Sequence, residues 1–254
     1  MYPILFSIGQ VNFYTHGLMI AIGCLVGGLT IFGLARREKL PTKFLFDLIV
    51  FSLFAGLIGA RIAYVVLYYY QFQNWHEMFF IWYGGLVSFG GLIFGFLAAW
   101  LILKRRKQNI LKWFDVGIIG LLFGWGFGRI GCFLSGDTPG IISDSWLAIQ
   151  GEIPVSLFEA IWVFVLAGAL LYLSHFNFIK KFGDGFIFFV GVGGYALGRF
   201  AIDFIREENI FYFLRGGQIA SLSLFIFVLI ILIFKYFLAK SKNSVLNGER
   251  EKDA

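Results

Sequence analysis

Arginine residues within membrane-length apolar segments are the strongest candidates for chemistry in this sequence. Arg129 follows the glycine-studded apolar run 117–127 and opens a polar, turn-rich stretch that ends at Gly140. A guanidinium at the end of such a segment is costly unless an anionic group meets it. Its planar fork of N–H donors suits phosphate. We therefore expect Arg129 to bind the phosphate of a lipid.

The arginines outside the basic connecting segments number five, and none of these positions is a lysine. Arg61, Arg129, Arg199 and Arg206 lie within or at the ends of predicted spans, and Arg215 lies in a predicted outer loop. Each arginine could pair with a carboxylate or a backbone carbonyl and merely tie helices together. Four arginines in the outer half favour an anion site over that structural alternative.

Predicted span six carries several polar residues at helical spacing. Tyr195, Arg199, Asp203 and Arg206 lie at i, i+4, i+8 and i+11, so a helix places them on one face. Asp203 is expected to pair with Arg199 and to orient it. The alternative is a salt-bridged helix end near the membrane interface, which is more credible for Arg206 than for Arg199.

His16 and Cys132 are the remaining titratable candidates within predicted spans. His16 could accept a proton near neutral pH, or it could be a satisfied structural histidine near the interface. Cys132 could be a nucleophile activated by Arg129, although a small buried residue is the simpler interpretation. No P-loop, metal-ligand cluster or Ser/His/Asp order stands out, so we expect no metal and no diffusible cofactor.

Glycines fall into two groups. Small residues repeat every four positions, which predicts close helix packing, at Ala55, Gly59 and Ala63, at Gly91, Gly95 and Ala99, and at Gly120, Gly124 and Gly128. The pairs Gly84–Gly85 and Gly90–Gly91 instead predict a span entrance where backbone approaches a ligand.

Composition decides which elements must position these residues. The chain has 254 residues, of which 59% are hydrophobic and 14% charged, whereas soluble domains carry about 25% charged residues. We predict an all-α polytopic membrane protein with seven transmembrane helices. The predicted spans cover about 15–34, 45–69, 84–103, 114–133, 155–173, 185–205 and 218–238.

The distribution of positive charge predicts the orientation. Sixteen of the 21 Lys and Arg residues lie on alternate connections, which the positive-inside rule places in the cytoplasm. The N-terminus is therefore expected outside and the C-terminus inside. The net charge of +6 then reflects topology, and we expect no nucleic-acid partner. We predict one transmembrane domain over 1–240 and a disordered cytoplasmic tail over 241–254. The aromatic segment 70–83 is expected to lie in the outer interface.

The chain resembles the prolipoprotein diacylglyceryl transferase family over nearly its whole length. The matching positions occur in the family's order, and they are Leu5-Phe6-Ser7-Ile8-Gly9 with Gly17-Leu18-Met19, Gly59-Ala60-Arg61-Ile62, Gly84-Gly85 with Gly90-Gly91, Gly128-Arg129 through Gly140, Pro154 with Leu157-Phe158-Glu159, Gly198-Arg199, Asp203, Arg206 and Gly217-Gln218.

The resemblance implies an enzyme of the bacterial plasma (inner) membrane that acts at the outer leaflet. It would move the diacylglyceryl group of phosphatidylglycerol onto the lipobox cysteine thiol of preprolipoproteins and release glycerol phosphate. Arg129 and Arg199 would hold the phosphate, Asp203 would replace a family glutamate, and His16 is the candidate base. The candidate substrate-binding residues are Arg61, Gly84, Gly85, Gly90, Gly91, Cys132, Ser135, Asp137, Gly140, Glu159, Arg206 and Gln218.

This sequence departs from the family pattern at five positions. The family has asparagine where this chain has Cys132 and Ser135, glutamate at Asp137, tyrosine at His16 and histidine at Phe89. Two alternatives stay open, and these changes favour only the first. One is an altered paralogue that binds lipid or lipoprotein signal peptides without turnover. The other is an anionic-solute transporter, against which the absence of a visible repeat argues.

Overall fold

The computed structural model describes residues 2–9, 11–81, 84–138, 140–176, 179–207, 210–211 and 214–252. Within these ranges, seven helices are long and apolar enough to cross a membrane, as predicted. The helices are α1 (Thr15–Arg37), α2 (Leu45–Leu67), α3 (Ser88–Arg105), α4 (Ile110–Ser135), α5 (Val155–Leu173), α6 (Phe186–Ile202) and α7 (Gly216–Lys252).

Two short antiparallel hairpins accompany the helices. Strands β1 (Ile4–Ile8) and β2 (Val11–Tyr14) are antiparallel. Ile4 pairs with Tyr14 and Ile8 pairs with Val11, and the register shifts between Ile4 and Phe6. Strands β3 (Ile210–Phe211) and β4 (Leu214–Arg215) pair immediately before α7. Short 3₁₀ turns lie in several of the other connections, including Asp203–Ile205 directly after α6.

Residue contacts divide the chain into two compact units. Unit 1 consists of Met1–Gly33 and Phe114–Ala254, and unit 2 consists of Leu34–Trp113. In unit 1, α6 packs against both α5 and α7, and in unit 2, α2 packs against α3. The division into one transmembrane domain (1–240) and a disordered tail (241–254) stays a prediction. Helix α7 continues to Lys252 beyond its membrane-length part, Gly216–Phe237, and the last two residues of the chain lie outside the described ranges.

Glycines allow helices to approach closely within each unit, as their spacing predicted. In unit 1, a Cβ on Gly120 would lie 2.6 Å from the carbonyl oxygen of Gly27, so α1 and α4 touch through their backbones. In unit 2, a Cβ on Gly90 would lie 2.4 Å from the carbonyl oxygen of Gly59. Gly128 is an exception to the predicted packing, because a Cβ on this residue would meet no atom of the described residues within 4 Å.

Apolar side chains cover the outside of the helices. Large residues such as Leu25, Phe51 and Val165 are 60% or more exposed, which in water would be unfavourable and in lipid is expected. The buried face of α5 instead carries small and polar residues, since Ser156, Glu159 and Ala160 are all nearly inaccessible. The interior of unit 1 is therefore where its polar chemistry lies.

Candidate active site

The end of α4 turns sharply after the signature arginine. Gly136 adopts φ +79°, a left-handed conformation that glycine takes without strain. The backbone N–H groups of Gly136 and Asp137 both donate to the carbonyl oxygen of Cys132, at 2.9 and 3.1 Å. This turn brings Asp137 back beside the helix end. The hydroxyl of Ser135 donates to the carbonyl oxygen of Gly131 at 2.8 Å, so this side chain is hydrogen-bonded within its own helix.

The loop after this turn is held against α5 and α6. Gly140 forms a β-bridge with Arg206, and a Cβ on Gly140 would lie 2.1 Å from the carbonyl oxygen of Ile153. The hydroxyls of Thr138 and Ser156 are hydrogen-bonded to each other. Only a glycine fits at position 140, because the backbone of Ile153 lies so close to it. Pro139, which belongs to the same stretch, lies outside the described residues.

Glu159 is the centre of the site. Its side chain is 1% exposed, on the buried face of α5. Oε1 lies 3.0 Å from Nε of Arg129, and Oε2 lies 3.0 Å from Nη1 of Arg199 and 3.1 Å from Nη2 of Arg206. Three arginines from α4, α6 and the turn after α6 therefore meet on one carboxylate. A single buried carboxylate fixes the relative positions of all three guanidinium groups.

Asp203 is the second carboxylate and is completely buried. Its Oδ1 lies 3.2 Å from Nε of Arg199 and 3.2 Å from Nε of Arg206. The predicted pairing of Asp203 with Arg199 is confirmed, and Arg206 shares it. We call Arg129, Glu159, Arg199, Asp203 and Arg206 the arginine cluster. When all five groups are ionised, the cluster carries one net positive charge.

Within the arginine cluster, the arginine side chains are more exposed than the carboxylates. The side chains of Arg129, Arg199 and Arg206 are 16%, 17% and 11% exposed, whereas both carboxylates are at most 1% exposed. Positive charge therefore lies on the accessible side, and negative charge lies behind it. Burial lowers the pKa of Arg206, and the neighbouring Arg199 charge acts in the same direction. Arg206 nevertheless stays charged, because the ordinary pKa of arginine lies far above neutral pH.

Trp125 and Tyr195 complete the surroundings of Glu159. The Tyr195 hydroxyl donates to Oε1 at 3.2 Å, and the Trp125 indole N–H approaches the same oxygen at 3.5 Å. The Trp125 ring also lies beneath the Arg129 guanidinium, 4.9 Å from its centroid. Trp125 is a site residue that was not predicted from the sequence. Its position four residues before Arg129 on one helix is the signal that could have identified it.

His16 lies at the start of α1, against the end of α4. Its Nδ1 is 3.2 Å from Oδ2 of Asp137. The Cys132 thiol is near both side chains, and its Sγ is 3.9 Å from Nη1 of Arg129. Three positions that depart from the family signature are thus neighbours in space. Phe89, a fourth departure, lies at the start of α3 in unit 2 and is 69% exposed.

Arg61 forms a separate network inside unit 2. Its guanidinium donates to four backbone carbonyls, at 2.7–3.0 Å, which belong to Glu77, Met78, Gly84 and Gly85. Gly84 and Gly85 have positive φ angles, +85° and +78°, so the predicted third span begins only at Ser88. Whether these groups contact a ligand stays a prediction, as does the membrane-interface position of 70–83, of which Trp82 and Tyr83 lie outside the described residues.

The second glycine pair and Gln218 have structural contacts. Gly90 and Gly91 pack α3 against α2, at Gly59 and Gly56. Gln218 is 2% exposed, and its Oε1 accepts from the backbone N–H of Arg215 at 3.0 Å, as in a helix capping box. Arg215 donates through its guanidinium to the carbonyl oxygen of Asp203, which joins α7 to the arginine cluster. A substrate-binding role for Gln218 or these glycines stays a prediction.

Comparison with known proteins identifies the family of this chain. A family model described as prolipoprotein diacylglyceryl transferase matches residues 3–234. A phosphatidylglycerol--prolipoprotein diacylglyceryl transferase from Clostridium kluyveri is 32% identical over 255 residues, which is 93% of this chain and 96% of that protein. One from Clostridium botulinum is 29% identical over 258 residues, 95% of this chain and 99% of that protein. The chain belongs to the prolipoprotein diacylglyceryl transferase family.

Proposed function

We propose that this protein transfers the diacylglyceryl group of phosphatidylglycerol to the lipobox cysteine thiol of preprolipoproteins and releases glycerol phosphate. The names of its relatives support the donor lipid, the acceptor class and the reaction. The lipobox cysteine as acceptor rests on the family resemblance. The observation that carries the proposal for this chain is the arginine cluster around Glu159.

The charge of the arginine cluster suits this substrate. A phosphodiester carries one negative charge, and the cluster carries one net positive charge when ionised. The guanidinium groups reach the accessible side, where a headgroup could contact them, while the carboxylates stay buried behind them. Arg129 and Arg199 come from different helices and would hold the phosphate from two directions.

The same arrangement suits the bond-breaking step. Attack of the thiol sulfur on the glyceryl carbon breaks the bond from that carbon to the phosphate oxygen, and the electron pair stays with the phosphate. Negative charge on the leaving group therefore grows in the transition state. Arginines that Glu159 and Asp203 already hold in place need no reorganisation to stabilise it, which is worth several kcal/mol in a water-poor site.

The charge distribution supports a position for this protein in the cell. We propose a multi-pass protein of the bacterial plasma (inner) membrane with its N-terminus outside, its C-terminus inside and the arginine cluster toward the outer leaflet. The cluster lies where α4 and α6 end and α5 begins, whereas Lys181 lies at the opposite end of α5 and α6. Positively charged connections are favoured on the cytoplasmic side.

Two alternatives are less well supported. A paralogue that binds lipid or signal peptides without turnover would explain the changed signature positions. A transporter for an anionic solute is not favoured by the family match. Purified protein that binds phosphatidylglycerol but yields no modified peptide would identify the first alternative. Flux of a phosphate ester into proteoliposomes would identify the second.

The decisive experiment offers phosphatidylglycerol and a lipobox peptide to the purified protein. We expect the peptide mass to increase by one diacylglyceryl group and glycerol phosphate to appear in equal amount. Arg129→Ala should abolish both products, and a peptide with serine in place of cysteine should gain no mass. No mass gain with the unmodified protein would contradict the transferase function.

A further inference from the structure

Three side chains that commonly bind transition metals meet beside the arginine cluster. One ligand atom each of His16, Cys132 and Asp137 lies within 4.8 Å of the other two. Within the described ranges, no second group of three His, Cys, Asp or Glu side chains comes as close. His16 is distant in sequence from the other two, which lie close together on the chain, and all three differ from the family signature. Their proximity was not predicted from the sequence, from which we expected no metal.

The backbone around this group is held in place by several contacts. The N–H of Tyr2 donates to the carbonyl oxygen of Leu134 at 2.8 Å, which fastens the N-terminal hairpin to the end of α4. A Cβ on Gly131 would lie 3.3 Å from Cα of His16, so α1 and α4 touch at this level. The turn at Gly136 then returns Asp137 to the same place.

The distance between His16 and Asp137 fits two side chains that bind one ion. Their nearest atoms, Nδ1 and Oδ2, are 3.2 Å apart, yet Nδ1 is buried and takes part in no hydrogen bond within the described structure. Two atoms each about 2.0–2.1 Å from a tetrahedral zinc ion lie roughly 3.3 Å apart. The observed separation matches that value without the alignment that a hydrogen bond requires.

We propose that His16, Cys132 and Asp137 bind a zinc ion whose fourth position accepts the thiol of the incoming prolipoprotein cysteine. Thiolate and imidazole ligands select zinc over magnesium and calcium. Three protein ligands with one open position are typical of catalytic zinc. Asp137 and His16 are 52% and 35% exposed, so the site is open to a substrate.

This inference rests on the proposed function and supplies the step it lacked. Zinc coordination deprotonates a thiol, and the released proton passes to water. The zinc-bound sulfur then forms the bond to the glyceryl carbon while the carbon–oxygen bond to phosphate breaks and glycerol phosphate leaves. Cys132 Sγ lies 3.9 Å from Nη1 of Arg129, so the metal site and the phosphate-binding arginines adjoin.

The first test measures the metal directly in full-length protein in lipid nanodiscs. We expect about one zinc per chain after purification. Replacing zinc with Co²⁺ should produce a sulfur-to-cobalt charge-transfer band that Cys132→Asn removes. Cys24→Ser is the matched control and should keep the band, because Cys24 is the chain's other cysteine and lies within α1. Asn is the family residue at position 132, so this variant is expected to fold.

The second test asks whether the fourth position takes the substrate. Adding a lipobox peptide to the Co²⁺ protein should shift the band, and the serine peptide should not. Chelation should lower the rate of transfer about thirtyfold at pH 7, because a free cysteine is only a few per cent thiolate there. Zn²⁺ or Co²⁺ should restore the rate, and Mg²⁺ should not.

The outcomes separate the two proposals. Transfer that survives chelation, or a cobalt band that Cys132→Asn leaves unchanged, overturns the zinc site and leaves the transferase function intact. In that case loss of activity in His16→Ala would assign His16 as a metal-free base. A cobalt band that shifts when the peptide is added supports the zinc site. If no metal then restores transfer, the transferase function is overturned while the zinc site stands.

Discussion

Arg129 and Glu159 are joined by a 3.0 Å contact between Nε and Oε1, inside the bundle of unit 1. The contact links the end of α4 to the beginning of α5, and it orients the arginine from behind while leaving 16% of its side chain exposed. Glu159 thus holds Arg129, the proposed phosphate-binding residue, in position without neutralising the whole cluster, because Arg199 and Arg206 share the same carboxylate.

Arg129→Lys should reduce the rate of diacylglyceryl transfer about 100-fold, since lysine retains the charge but loses the planar fork and the stacking on Trp125. The measurement is the initial rate with saturating lipobox peptide. Arg105→Lys, at the end of α3, is the matched control and should retain the normal rate. Equal rates for the two variants would show that Arg129 acts only through its charge.

Glu159→Gln should destabilise the folded protein, because it leaves three partly buried guanidinium groups with one carboxylate. Removing one partner of a buried ion pair costs about 3 kcal/mol or more. We expect the thermal unfolding midpoint in detergent to fall by roughly 6 °C or more. Asp144→Asn, on an exposed loop residue, should leave the midpoint unchanged. A midpoint equal to that of the control would contradict the central role of Glu159.

Gly140→Ala should displace the loop after α4, because its Cβ would lie 2.1 Å from the carbonyl oxygen of Ile153. Overpacking of this kind costs roughly 1–3 kcal/mol, and we expect transfer to fall at least tenfold because Gly140 bridges to Arg206. Gly128→Ala is the matched control, since a Cβ there would meet no described atom within 4 Å. Activity lost equally in both variants would refute this steric explanation.

Arg61→Ala should loosen the connection between α2 and α3, because four carbonyl acceptors lose their donor. These hydrogen bonds are only partly buried, so each one lost should cost about 0.5–1.5 kcal/mol. Hydrogen–deuterium exchange of amides 77–87 should accelerate, while that of α5 stays unchanged. Arg105→Ala, at an exposed helix end, serves as the control. Unaltered exchange in Arg61→Ala would mean that the segment holds itself in place.

The proposed orientation can be tested with a membrane-impermeant thiol reagent on intact spheroplasts. Ser145→Cys, in the loop between α4 and α5, should react at once because we place this loop outside. Ser241→Cys, in the C-terminal segment, should react only after the membrane is opened. The unmodified protein gives the background from its two native cysteines. The reverse labelling pattern would overturn the proposed topology.

Local properties of the chain made much of the fold predictable. The seven helices follow from apolar length, which each segment carries by itself. The face shared by Arg199, Asp203 and Arg206 follows from helical spacing, and the structure confirms the contacts of Asp203 with both arginines. The start of the third span was placed too early, because Gly84 and Gly85 turn away from helical geometry and give their carbonyls to Arg61.

The sequence by itself determined the class of protein, the candidate arginines and the family resemblance, because composition and motif order need no long-range contact. Only the tertiary structure decided which groups meet. Glu159 and Arg206 are 47 positions apart, yet they share an ion pair. His16 lies at the start of α1 and Asp137 follows the end of α4, and they touch because glycines let those helices pack closely. Such contacts depend on how the helices pack, which spacing along one helix cannot specify.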